Sequence, residues 1–155
     1  MNYRSHSHNP SSKHQHKGGQ KRQPLLSKQT YNFFIDENKT KVDSSLLSDK
    51  AEKFAQAFGQ SKESSKTQIR RFYDEFKRLE QRSKDSSFEV VEPHLKMLKA
   101  RAYYASQRQS AKIPEDLKIF LENLVNSINC YNDLKAAALL FEAVVGYSQI
   151  YVQKK

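Results

Sequence analysis

The side chains whose type and spacing could do chemistry in this chain are cations. Between Lys66 and Arg82, Lys66, Arg70 and Lys77 fall on one line, and Arg71, Arg78 and Arg82 on a second, if the backbone is helical at about 100° per residue. Gln68 adds an amide at the start of the same stretch. Guanidinium groups grip phosphate through two parallel N–H bonds, and a lysine ammonium serves as a point charge. Rows of this kind hold a polyanion by its backbone. Asp74, Glu75 and Glu80 offset the charge only in part, and the competing reading is a solvated face with i,i+4 pairs such as Asp74 with Arg78.

A second row follows. His94, Arg101 and Arg108 recur every seven residues, drifting by about 20° per step on a straight helix. They run between an apolar stripe (Val91, Leu95, Leu98, Ala102, Ala105) and the pair Met97/Tyr104, with Lys96, Lys99 and Tyr103 on the far side. Cations with apolar groups on both sides belong in a groove or at an interface.

Catalytic constellations are missing. There is no glycine-rich phosphate loop, no Cys/His metal framework and no H-E-x-x-H. His94 has no Ser, Cys or Asp set beside it and reads as structural or exposed. The adjacent acids Asp36-Glu37, Asp74-Glu75 and Glu115-Asp116 read as helix-end or surface charges. The chain is therefore expected to bind rather than catalyse, with no cofactor. His6, His8, His14 and His16 could hold a metal ion loosely but lack the fixed framework of a physiological site. The single cysteine, Cys130, excludes an intramolecular disulfide and reads as a small buried thiol near the end of an apolar helix.

Helices must position these cations. Ser65 with Gln68 forms a capping-box pattern, and Ile69, Phe72, Tyr73, Phe76 and Leu79 give the Lys66 helix a core stripe. A first helix is expected from Ser48 to Phe58, stopped by Gly59. After a break at Ser83 to Ser87, a third runs from Glu92 to Gln109 with Pro93 in its first turn. Ile113-Pro114-Glu115-Asp116 opens a fourth, and the last runs from Asn132 to Val152. Ala136 to Val145 is apolar nearly all round, which suits the centre of a bundle or a subunit interface, and Gly146 suggests close packing. With 4 Gly, 4 Pro and no convincing strand, the fold class is all-α: a compact bundle of about five helices over residues 46–152.

Net charge is +10, and residues 1–30 hold six basic and no acidic residues, so more than half of the excess lies there. Residues 1–45 read as a disordered basic tail. Within it Thr30-Tyr31-Asn32-Phe33-Phe34-Ile35 is either an aromatic docking segment, packing on this domain or on a neighbouring subunit, or unstructured linker. A field of this sign favours RNA, DNA or an anionic surface. No run resembles a signal peptide or a membrane span, so a cytoplasmic protein is expected.

Three stretches, in order, resemble the small helical subunit of the type III-A CRISPR effector, the Csm complex. Thr67-Gln68-Ile69-Arg70-Arg71 matches a Ser/Thr-x-Gln-Ile-Arg-Lys-type segment on that family's second helix, here with Thr directly before Gln. Tyr104 and Arg108 match a Tyr-x-x-x-Arg ending on its third helix, with Lys99 as the basic residue before it. Glu142, Ala143, Val145 and Tyr147 match its closing pattern, with glycine at 146 where alanine is usual. The resemblance covers residues 46–152; a tail as long as 1–45 departs from it. It implies a non-catalytic RNA-binding subunit, several copies of which stack as a minor filament. That filament holds target RNA on the guide CRISPR RNA, beside other Csm subunits, in antiviral defence. By position, Lys66, Gln68, Arg70, Arg71, Lys99 and Arg108 are the RNA-contact candidates. Arg78 and Arg101 are added from the helical rows alone. Arg70 or Arg108 could instead pair with carboxylates of a neighbouring copy. Two other classes stay open: a DNA-binding helical regulator, though the loop before Lys66 is longer than a helix-turn-helix allows, and a structural adaptor for acidic proteins.

Overall fold

Five α-helices follow one another from Asp49 onward: α1 (Asp49–Gly59), α2 (Lys66–Asp85), α3 (Phe88–Gln107), α4 (Glu115–Asn126) and α5 (Tyr131–Tyr151). A short 3-10 turn, Ser44–Leu46, leads into α1. The computed structural model describes residues 21–153. Among these residues there is no strand, only an isolated antiparallel bridge between Phe34 and Val42. The fold is all-α, as the periodicity implied.

Cross-contacts give the topology. Glu75 meets Arg101 and Arg82 meets His94, so α2 and α3 are antiparallel neighbours. Lys99 reaches Asn126 and Tyr103 reaches Glu122, which turns α4 back along α3. Lys66 reaches the Gln149 carbonyl while Tyr73 and Phe76 pack on Phe141, so α5 runs antiparallel to α2. The core is aromatic. Phe120 has the rings of Phe54, Phe58 and Phe141 at 5.0, 5.6 and 5.3 Å. Edge-to-face and tilted packing at such separations adds to the burial of area.

Several local expectations change. The capping box does not form: Ser65 makes no side-chain cap bond, and Gln68 turns instead to the Ala111 carbonyl. The third helix begins at Phe88, not Glu92, because Phe88 packs on the core and Val91 is fully buried in the first turn. Pro93 consequently lies inside α3 rather than at its start. Pro114 is the N-cap of α4. Cys130 is half-buried at the N-cap of α5.

The helix buried nearly all round is α4, whose residues from Asp116 to Val125 are buried except half-buried Lys118. The last helix, α5, leaves Leu139, Gly146 and Ile150 exposed. Gly146 is not a point of close packing, since a Cβ there meets nothing within 4 Å. The close approach is at Gly59, where a Cβ would overlap the Tyr151 backbone carbonyl, with its carbon 2.9 Å away.

What covers α4 is the segment read as tail. Residues 22–31 form a strap along it, and 33–43 continue into the core and to Asp133 at the start of α5, so the packed region reaches back beyond the boundary expected at residue 46. Asp116 Oδ1 accepts the amides of Leu25 and Leu26 at 2.7 and 2.8 Å. Asn123 accepts the Gln29 amide and donates to the Ser27 carbonyl and the Tyr31 hydroxyl. Ser127 Oγ accepts the Tyr31 amide at 2.8 Å. Tyr31, Phe33 and Phe34 are buried in the main core. Of the alternatives for the aromatic segment, packing on its own domain is the one seen. Residues 1–20, with the four tail histidines, lie outside the described residues.

Candidate nucleic-acid interface

The first turns of α2 carry the densest cations, and the helix holds them rigidly because its opposite face is anchored by Ile69 and Phe76, 1% and 0% exposed. Lys66, Thr67, Arg70, Arg71, Asp74, Glu75, Arg78 and Gln149 line one open groove on this face. It brings together Lys66, Arg70, Arg71 and Arg78, half of the eight residues singled out from sequence. The side chain of Arg70 is 67% exposed, with only a 3.7 Å contact to Asp74. Among the described residues, Arg71 and Arg78 have no carboxylate within 4.0 Å, and both are exposed. Lys66 donates to the Gln149 carbonyl at 2.8 Å, which ties the groove to the end of α5. Lys77, nominally on the same line as Arg70, is diverted: with Lys84 it brackets the buried carboxylate of Glu80 at 3.3 and 3.5 Å.

Arg101 borders the groove from α3. Its Nη1 lies 2.6 Å from Glu75 Oε2, and the side chain remains 57% exposed. The pair fixes the α2–α3 spacing and leaves guanidinium N–H groups outward, since arginine has five donors.

The remaining three residues face inward contacts. Gln68 Nε2 and Arg108 Nη2 both donate to the Ala111 carbonyl, the latter at 2.7 Å. Ala111 has φ +51°, a left-handed conformation in which a side chain is strained. The two donors therefore clamp the α3–α4 loop in its bend. Arg108 also lies over the Tyr104 ring, 5.9 Å from its centroid. Lys99 sits on the other flank of α3, half-buried, 3.3 Å from Asn126 and 3.9 Å from the Glu122 carboxylate.

Glu122 is a hub that sequence reading missed. It accepts from the Tyr103 hydroxyl at 3.0 Å and faces Lys28 of the strap at 3.4 Å. The nearby Glu122 charge raises the Lys28 pKa. The signal for Glu122 was weak, because a carboxylate in a helix with two acids at its start reads as surface. Glu75 was likewise named only as an offset, although it joins α2 to Arg101 of α3. On the core edge of α2, burial raises the Tyr73 pKa, and the Glu142 carboxylate adds to the effect.

Together these features make an open cationic groove on one rigid helix, with the chemistry to meet a polyanion. Among the described residues no group of three or more His, Cys, Asp or Glu is placed to hold a metal ion, and no helix is long and apolar enough to cross a membrane. A family model described as Csm2 Type III-A matches residues 41–154. No curated protein and no solved structure matches the chain.

Proposed function

The chain belongs to the Csm2 Type III-A family, small subunits of the type III-A Csm effector, and from that premise we propose that it is a non-catalytic subunit gripping RNA along the α2 groove. The observation that carries this reading is the convergence of Lys66, Arg70, Arg71 and Arg78 on one open face, with two of the arginines free of carboxylate partners among the described residues. Association with other Csm subunits follows from the family. Its finer form is part of the proposal: further copies align as a minor filament in the cytoplasm, so that successive grooves track the target RNA paired to the guide CRISPR RNA. A surface that holds sugar-phosphate without reading bases suits a system in which base pairing supplies sequence.

Roles divide within the candidate set. Lys66, Arg70, Arg71 and Arg78 take phosphates, with Arg101 at the rim. Gln68 and Arg108 set the loop beside the groove, and Lys99 offers a charge on the opposite flank of α3. The test is RNA affinity measured against salt. Each phosphate contact on a single strand contributes a slope of about −0.7 in the log–log plot. Replacing Arg71 and Arg78 together by Glu is expected to flatten the slope by about 1.4 and weaken binding, with an unchanged thermal midpoint because both side chains are exposed. An unaltered slope in the assembled complex removes these arginines as contacts. Weak binding by one copy is expected, since alignment of copies multiplies contacts.

A further inference from the structure

The third helix has two apolar faces. One is the buried stripe Val91, Leu95, Leu98, Ala102 and Ala105. The other is exposed: Val90, Pro93, Met97, Ala100 and Tyr104, at spacings of three and four residues. Among them Val90, Met97 and Tyr104 are 45%, 51% and 70% exposed. A 3-4 alternation is the seam of a helix–helix contact, and among the described residues nothing covers this one. Isolated apolar residues on a surface are ordinary, but a continuous seam of this length on one helix is not.

The flanks say what can lie on it. Along one side run His94, Arg101 and Arg108; along the other run Glu89, Lys96 and Tyr103. Positions flanking such a seam choose the partner by charge. A second copy offering this same seam sets the His94/Arg101/Arg108 row against itself when antiparallel, and Lys96 beside the neighbour's Arg101 when parallel. Residues 1–30 hold no acidic residue, so the chain's own N-terminal part cannot complement the row either. Phosphate has nothing to meet on Val90, Met97 and Ala100.

We propose that the outer seam of α3, Val90–Met97–Tyr104 with its basic flank, docks an amphipathic helix of another protein whose apolar seam is bordered by carboxylates. Met97 is the central knob, Tyr104 packs at one end, and Arg101 and His94 meet the partner's acids. Arg101 keeps its Glu75 pair while doing so, which places the docked helix beside the α2 groove without filling it.

The probe is a synthetic helix of about three heptads with Leu at the seam and Glu at the flanking positions, and a twin with Lys there. Binding to the full chain is read by fluorescence anisotropy. The acidic helix is expected to bind and the lysine twin to bind at least tenfold more weakly. Met97→Glu should weaken the acidic helix by tenfold or more. Lys96→Glu should weaken the acidic helix and strengthen the lysine twin. Both sites are exposed, and circular dichroism of each variant checks that the fold persists. Equal affinity for the two helices, or none for either, overturns the proposal. So does a self-associated chain that Met97→Glu turns monomeric, which assigns the seam to a second copy. Loss of RNA-oligomer binding in Met97→Glu without binding of the acidic helix assigns it to nucleic acid instead.

Discussion

Gly59 and Gly146 make opposite demands on the same helix pair. A Cβ at Gly59 runs into the Tyr151 backbone, while one at Gly146 meets open space. Gly146→Ala should therefore stabilise the chain by up to about 1 kcal/mol, a rise of roughly 2–4 °C in thermal midpoint. Gly59→Ala should lower the midpoint, and paired thermal melts check both signs. Tyr31 carries a second residue-scale consequence. Burial raises its pKa to about 12, against a partial offset from the Asn123 hydrogen bond. The unfolded chain loses this proton near pH 10 and the folded one keeps it until about pH 12. The stability Tyr31 contributes is thus complete below pH 10 and drains away between these values. An alkaline denaturation series should show this loss, and Tyr31→Phe should reduce it.

At the scale of elements, the strap and α4 form one unit. Asn123 makes three bonds to the strap, to Gln29, Ser27 and Tyr31. Asn123→Ala should speed amide exchange from Leu25 to Tyr31 while leaving α2 and α5 protected. Phe120, fully buried beside Tyr31 of the strap, should cost about 3–5 kcal/mol when cut to Ala, read from denaturant unfolding. The helices were legible because periodicity reports one buried face per helix. The strap was not. It is held by side chains of α4 bonding to its backbone amides, which leave no periodic trace, and by three aromatics inside a polar run. Asp116 read as a helix-end or surface charge for the same reason, and Asn123 and Ser127 gave no signal: the cover comes from some ninety residues away.

For the whole molecule, charge rather than shape decides the candidate site. That α2 carries a cationic face could be read from helical phase, but not that Arg70, Arg71 and Arg78 share one groove while Lys77 turns to Glu80 and Arg82 to His94. The fates of Gln68 and Arg108 could not, since both depend on one left-handed residue, Ala111, in a loop that sequence does not place. Ala111→Gly relieves that strain and should stabilise the chain by about 1 kcal/mol in chemical denaturation without changing RNA affinity.

The strap also sets a schedule. Its residues leave the ribosome before the helices do, yet the groove that receives them is made from Asp116, Asn123 and Ser127, translated long afterwards. During that interval Tyr31, Phe33 and Phe34 travel without a seat. Only α2–α3 and α3–α4 pack as sequential hairpins, whereas the N-terminal clasp cannot close before the fourth helix exists, and α1 and α2 wait still longer for α5.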